Sequence, residues 1–244
     1  MSSDTIDSQS SMPTDDPFLS LKSGATEIYL IRHADALPRA EEVVGGDYDA
    51  QALSELGRRQ AQALGARLRD IPLAAVYSSP IGRARQTAEA VATPHELDVR
   101  VEPELREIAL GAIGPAAHDG LPPEEVAKML KTRLREIAVI AVTTGRWESI
   151  PGSEPSTALR ARMLAAVQRL AIAHPGQRIA AVSHAGSINA YLAALLRLDH
   201  DYFFPAANTS VSVVRLEGER SMLFSLNDIA HLRTPDLLGF DPSA

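Results

Sequence analysis

Short apolar runs alternate with longer amphipathic stretches along most of the chain. Residues 27–31 (Glu-Ile-Tyr-Leu-Ile) form an apolar run of strand length, as is typical of a central strand buried between helix layers. Comparable runs predict strands at residues 73–77, 99–101, 179–182, 210–216 and 222–225. Because helical stretches separate the earlier runs, the pattern predicts a mostly parallel central sheet.

The intervening stretches carry apolar residues at helical spacing. One follows Ser54, which can cap a helix, and ends before Pro72. Further helices are predicted after Pro80 and at residues 124–142, 156–173 and 187–198. The fold class is therefore predicted to be α/β, a three-layer α/β/α sandwich whose ligand site lies beyond the carboxyl ends of the strands.

Two regions depart from this alternation. Residues 1–25 are rich in Ser, Asp, Pro and Thr and predict a flexible N-terminal tail, followed by a single α/β domain over residues 26–244. Within that domain, residues from about 112 to 155 combine turn-forming residues with a basic helix. They predict a lid-like insertion.

Composition and charge narrow the functional classes. The 244 residues are 45% hydrophobic and carry a formal net charge of −7, so no positive field favours nucleic acid or a membrane surface. No cysteine is present, which excludes a cysteine nucleophile and zinc–thiolate ligation. The sequence contains neither a signal-peptide pattern nor a membrane-length apolar run. We expect a cytoplasmic protein, with a homodimer as a possible assembly.

Two histidines directly follow apolar strands. Arg32-His33 ends the first predicted strand, and Ser183-His184 ends a later one. The carboxyl ends of parallel strands share one edge of a sheet, so these side chains are expected to converge. A single histidine is more often structural than catalytic, and the pair gains meaning only from its context.

That context consists of several motifs in a fixed order. They are Arg32-His33-Ala34, residues 53–61, residues 78–88 with Arg83, Leu105-Arg106-Glu107, residues 182–186 and Asn208-Thr209-Ser210. Together, over residues 27 to about 233, they resemble the histidine phosphatase superfamily, which includes the cofactor-dependent phosphoglycerate mutases. The closer resemblance is to its phosphatase branch.

This resemblance implies a metal-independent phosphatase that needs no cofactor and acts on a small phosphorylated substrate. His33 would be the nucleophile and become transiently phosphorylated, which requires an unprotonated ring nitrogen. Glu107 would donate a proton to the leaving group, and His184 would stabilise the transferring phosphoryl group. A simple ion pair of Glu107 with Arg106 or Arg83 is the structural alternative.

The same resemblance implies a phosphate-binding set. Arg32 and Arg83 are planar, permanently charged donors suited to gripping two phosphate oxygens. Asn208 and Thr209 match a polar stretch near the phosphate pocket, although residues of these types before a strand are also common turn formers. His231 matches a common ending in the phosphatase branch, with its role open.

Some positions depart from the family pattern. Ala34 and Ala185 stand where relatives favour glycine, which matters if either position needs positive φ or close approach to phosphate. Arg39 replaces the asparagine of the mutases, which disfavours mutase chemistry. Mutase-type phosphoryl transfer and a catalytically weak phosphate- or phosphoprotein-binding module remain the alternatives.

Overall fold

The computed structural model describes residues 24–36, 52–110 and 121–238, and one mixed sheet runs through this part of the chain. The strands are β1 (Thr26–Arg32), β2 (Ala75–Ser78), β3 (Val99–Val101), β4 (Arg178–Ser183), β5 (Val211–Glu217) and β6 (Arg220–Asp228). Their order is β3-β2-β4-β1-β5-β6. The neighbours from β3 to β1 are parallel, whereas β5 is antiparallel to both β1 and β6. The mostly parallel sheet is thus confirmed.

Helices connect and cover these strands. They are α1 (Glu55–Leu68), α2 (Gly82–Ala92), α3 (Pro123–Thr144), α4 (Ser156–Ala173), α5 (Ala185–Leu195) and the short α6 (Pro235–Leu238). Helix α1 begins where predicted because the Ser54 side chain accepts a hydrogen bond from the Gly57 amide. Short 3₁₀ helices span Thr93–His95, Pro103–Leu105 and Trp147–Ser149.

Alternating side chains of β1 face two different cores. Ile28 and Leu30 are fully buried in a large core shared with α4 and α5, whereas Ile31 lies in a second core with residues of α1 and α2. Full burial of each such side chain contributes about 1.5–3 kcal/mol. The sheet therefore has helices on both faces, and the predicted three-layer α/β/α sandwich is confirmed.

The register of the sheet brings the two candidate histidines together. Arg32 of β1 lies opposite Ser183 of β4, and the His33 amide donates to the Ser183 carbonyl at 3.0 Å. The Ser79 amide, after β2, donates to the Val182 carbonyl at 2.9 Å. Three adjacent strands consequently end at one place on the carboxyl edge of the sheet.

The structure changes one predicted boundary that matters for function. Helix α5 begins at Ala185, directly after His184, and not at Ser187 as predicted. The amides of Gly186 and Ser187 therefore belong to its first turn. Residues 1–23 of the predicted tail and 111–120 of the predicted lid insertion lie outside the described residues; both assignments stay predictions. No helix in the described ranges has the length and apolar character to span a membrane.

Candidate active site

His33 is held in one tautomer at the end of β1. Its Nδ1 lies 2.7 Å from the Ala34 carbonyl oxygen, which can only accept, so Nδ1 carries the proton. The unprotonated Nε2 accepts a hydrogen bond of 3.1 Å from Nε of Arg83. The nitrogen that bears the lone pair therefore faces a guanidinium group.

The surroundings of His33 keep its ring neutral. Burial, followed by the positive charges of Arg32 and Arg83, lowers the pKa of His33 well below its ordinary value, against a smaller opposing effect of the bond to Ala34. At neutral pH the ring is unprotonated. A nucleophile with a free nitrogen lone pair needs this state.

His184 lies against His33 and shares Arg83 with it. The two ring centroids are 5.0 Å apart, and Nη2 of Arg83 lies 3.4 Å from Nδ1 of His184. The other nitrogen, Nε2, is hydrogen-bonded to Oγ of Ser79 at 2.8 Å. Burial, then the neighbouring His33, Arg83 and Arg32, lowers the pKa of His184 well below its ordinary value. Arg83 thus bridges two neutral imidazoles.

Arg32 contributes a second buried guanidinium group. Its Nη1 donates to the Ala206 carbonyl at 2.6 Å, while its Nε is buried with no hydrogen-bond partner in the described part of the chain. Burial lowers the pKa of Arg32, and the negative charge of Glu107 acts in the opposite direction. An arginine nevertheless stays charged at neutral pH. The unpaired N–H is a donor that an incoming anion can satisfy.

Glu107 is held by the first turn of α5. Its Oε1 accepts from the Ser187 amide at 3.0 Å, and its Oε2 accepts from the Gly186 amide at 3.3 Å. The Ser187 hydroxyl lies 3.3 Å from Oε1 but donates its hydrogen to the Arg106 carbonyl at 2.6 Å. The two amides are among the backbone donors that the first turn of a helix leaves without an intrahelical partner. Arg106, the alternative ion-pair partner, lies 3.7 Å from Glu104.

Three residues that the sequence analysis did not single out for this site position Glu107. A Cβ at Gly186 would stand 2.7 Å from Oε1 of Glu107, so glycine permits the close approach. Ser187 donates its amide to Glu107 and its hydroxyl to the Arg106 carbonyl, the preceding residue. Arg162 on α4 donates to the carbonyl oxygens of Arg106 and Glu107 at 3.0 and 3.1 Å. Gly186 is the last residue of the second histidine motif and Ser187 follows it directly, whereas no motif marks Arg162.

Asn208 and Thr209 contact the backbone that carries the nucleophile. The Asn208 side-chain amide donates to the His33 carbonyl at 3.0 Å, and the Thr209 amide donates to the Arg32 carbonyl at 3.0 Å. The structure therefore places both residues beside His33. Their direct contact with phosphate stays a prediction.

The two alanines that replace glycine fit the backbone. Neither Ala34 nor Ala185 adopts a positive φ, so alanine causes no backbone strain there. Asp35, the next residue, accepts from the Ser54 hydroxyl at 2.5 Å and so ties the loop after β1 to the start of α1. Arg39 lies outside the described residues. Within those residues, no cluster of three His, Asp or Glu side chains could hold a metal ion.

The fold and the site together define a class: α/β proteins with paired histidines and arginines at the carboxyl edge of a mostly parallel sheet. The family model of the histidine phosphatase superfamily (branch 1) matches residues 28–229. The chain therefore belongs to this superfamily.

The curated relatives are described as probable phosphoglycerate mutases. The probable phosphoglycerate mutase GpmB of Erwinia tasmaniensis is 37% identical over 99 residues, which cover 41% of this chain and 46% of that protein. The chain thus spans about half the length of the curated relatives it matches.

Solved structures match over a larger share of the chain. YhfR of Bacillus stearothermophilus is 26% identical with a TM-score of 0.67, covering 85% of this chain and 99% of that one. A mycobacterial glucosyl-3-phosphoglycerate phosphatase is also 26% identical, with a TM-score of 0.62 over 83% of this chain and 99% of that one. The latter protein has also been solved with inorganic phosphate.

Proposed function

We propose that the protein is a phosphomonoesterase that hydrolyses a small phosphorylated metabolite through a phosphohistidine on His33. The observation that carries the proposal is the protonation pattern of that ring. The Ala34 carbonyl keeps the proton on Nδ1, so the lone pair on Nε2 points toward Arg83, a phosphate-binding type of side chain.

The first half of the reaction transfers the phosphoryl group to the protein. The substrate phosphate draws the guanidinium group of Arg83 away from Nε2 and satisfies the unpaired Nε of Arg32. Nε2 then attacks phosphorus in line, so that a P–N bond forms as the P–O bond to the leaving group breaks. Glu107 gives its proton to the departing oxygen. A substrate that binds as the phosphate monoanion supplies the proton that Glu107 passes on.

The second half returns the protein to its starting state. Glu107, now a carboxylate, takes a proton from water as the water oxygen attacks phosphorus. The P–N bond breaks, inorganic phosphate leaves and His33 is again neutral.

His184 stabilises the negative charge that develops on the phosphoryl oxygens. Its Nδ1 faces Arg83, so that nitrogen also faces the phosphate held there. Because a guanidinium group can only donate, Nδ1 accepts from Arg83 in the resting protein and Nε2 donates to the Ser79 hydroxyl. Once phosphate draws Arg83 away, the tautomer with the proton on Nδ1, in which the Ser79 hydroxyl donates to Nε2, can donate to a phosphoryl oxygen. The two arginines supply the positive charge that a metal would otherwise provide, so we propose metal-independent and cofactor-independent catalysis.

The test is release of inorganic phosphate from a panel of phosphorylated metabolites, including 3-phosphoglycerate, in the presence of EDTA. We expect release by the wild type and a loss of several orders of magnitude in His33→Ala with the fold intact. Activity that disappears in EDTA and returns with a divalent ion would refute the mechanism. Near-normal activity of His33→Ala would refute the nucleophile.

Mutase-type transfer is the second candidate, because a curated relative is a probable phosphoglycerate mutase. It predicts interconversion of phosphoglycerate isomers with little net phosphate release. If neither release nor interconversion occurs while phosphate or a phosphopeptide still binds, the protein is a binding module. We propose in addition that the protein is cytoplasmic and that it can form a homodimer.

A further inference from the structure

His231 lies on the loop after β6 and contacts the segment that holds the nucleophile. Its Nε2 is 2.9 Å from Oγ1 of Thr209. That hydroxyl already donates its hydrogen to the Asn208 carbonyl at 2.7 Å, so it must accept from His231. The proton of the imidazole is therefore on Nε2, and Nδ1 is buried with no partner among the described residues.

Thr209 is held in an unfavourable backbone conformation. Its φ is +56°, in the left-handed region that a β-branched residue rarely adopts, and the residue is fully buried. Such a conformation is strained and persists only where surrounding contacts fix it. The hydrogen bonds from His231 and to Asn208 are such contacts.

The Asn208-Thr209 turn holds the end of β1 in place. The Thr209 amide donates to the Arg32 carbonyl at 3.0 Å, and the adjacent Asn208 side chain donates to the His33 carbonyl at 3.0 Å. A continuous set of hydrogen bonds thus runs from the ring of His231 to the backbone of the proposed nucleophile.

We propose that His231 is a positioning residue, which fixes the Asn208-Thr209 turn and through it the orientation of the His33 ring. The catalytic part of this inference rests on the proposed function. Misplacement of a reacting atom by about 1 Å can cost about 100-fold in rate, so a residue outside the phosphate pocket can affect turnover strongly.

The charged neighbours of His231 agree with a neutral ring. Burial and the positive charge of Arg67 lower the pKa of His231 to about 4, and Asp228 acts in the opposite direction. Arg67 and Asp228 form an ion pair with each other. The ring is therefore neutral at physiological pH and keeps its single proton for Thr209.

The kinetic test compares His231→Ala with His231→Gln. A glutamine amide can place its nitrogen near the position of Nε2 and donate to Thr209, whereas alanine cannot. We expect His231→Ala to lower kcat by about 10- to 100-fold with KM changed less than about twofold, and His231→Gln to recover most of kcat. His95→Ala is the matched control, because His95 is also half-buried with an unpartnered ring nitrogen, and its kcat should be unchanged.

A second variant, Thr209→Ala, distinguishes loss of this hydrogen bond from loss of folding. Thr209→Ala removes the acceptor and should lower kcat as much as His231→Ala does. The double variant should lose no more than either single one, because both changes break the same hydrogen bond. Additive losses, a glutamine variant as impaired as the alanine variant, or a His231→Ala enzyme within twofold of wild type would each overturn the proposal.

A spectroscopic test of the same proposal does not depend on enzyme activity. In protein with ¹⁵N-labelled histidine, the Nδ1–H signal of His33 reports its hydrogen bond to Ala34. We expect this signal to shift or broaden in His231→Ala and to return in His231→Gln; an unchanged signal in His231→Ala would contradict the proposal. If the wild type hydrolyses no substrate, this measurement still decides whether His231 positions His33, and only the proposed function fails.

Discussion

The single proton on each of three imidazole rings, two buried and one half-buried, determines what this site can do. His33, His184 and His231 each have one ring nitrogen fixed by an oxygen partner. Burial lowers the pKa of each, so all three are neutral at physiological pH. Neutral imidazoles have distinct donor and acceptor nitrogens, which gives each ring a definite direction.

Glu107→Gln tests the role of the carboxyl group. Glutamine cannot protonate a departing alkoxide, whereas p-nitrophenolate leaves without a proton. We expect kcat to fall by about 10²- to 10⁴-fold with an alkyl phosphate and by much less for enzyme phosphorylation by p-nitrophenyl phosphate. The measurement is burst-phase kinetics with both substrates.

Glu104→Gln serves as the control for that change, because Glu104 lies three residues earlier and is ion-paired with Arg106 at 3.7 Å. Its activity should match the wild type with both substrates. Equal losses on the two substrates in Glu107→Gln would show that Glu107 is not the proton donor.

At the level of whole elements, the first turn of α5 positions the carboxyl group of Glu107. Gly186→Ala would place a Cβ 2.7 Å from Oε1, so the carboxyl group must move. We expect alkyl phosphate hydrolysis to fall about 10- to 100-fold, since positioned proton transfer is worth about 10²- to 10⁴-fold in all. Ser187→Ala removes the hydroxyl that donates to the Arg106 carbonyl at 2.6 Å and keeps the amide that donates to Glu107, so it should lose less. Steady-state kinetics with an alkyl phosphate decide the order, and the reverse order would contradict the holding role.

Helix α4 supports the same segment through Arg162. Its guanidinium group pairs with Glu154 at 2.7 Å, and both side chains are about nine-tenths buried. Breaking such a buried pair costs about 3–5 kcal/mol, so Arg162→Met should lower the urea midpoint markedly. Arg133→Met breaks an exposed pair with Glu136 and should cost less than about 1 kcal/mol. Similar losses in both variants would rule out a special role for Arg162.

The sequence predicts the elements of this fold better than the contacts between them. Apolar periodicity locates the six strands of the sheet and the helices α1 to α5, because burial imposes that pattern directly. It places the start of α5 two residues late, and with it misses the donors for Glu107. Those hydrogen bonds join residues about 80 positions apart, and no local pattern encodes such a pairing.

For the whole molecule, the buried histidines link stability to acidity. Their pKa values lie below 6.5 in the folded state, so the unfolded chain binds more protons once the pH falls below that value. Stability is therefore complete above about pH 6.5 and decreases below it, by about 1.4 kcal/mol per pH unit for each proton taken up on unfolding. Carboxyl groups add a further loss of stability at lower pH. Burial acts to raise the pKa values of Glu27 and Glu154, but their arginine partners lower them overall.

Urea denaturation between pH 7.5 and 5 measures this dependence. We expect the free energy of unfolding to fall steadily below pH 6.5, and to fall less steeply in His33→Ala, which removes one buried titrating ring. His200→Ala is the control, because His200 is exposed and its loss should leave the slope unchanged. A flat profile across this range would contradict neutral burial of the histidines.

The hydrogen bond from Arg83 to Nε2 of His33 has a consequence for selectivity. In the resting protein the lone pair of the proposed nucleophile is already engaged, so an uncharged electrophile meets a nitrogen with little electron density to offer. An anion competes for the guanidinium group and releases that lone pair as it binds. In the proposed mechanism the negative charge of the substrate therefore activates the nucleophile, whereas an uncharged electrophile leaves His33 hydrogen-bonded to Arg83 and unreactive.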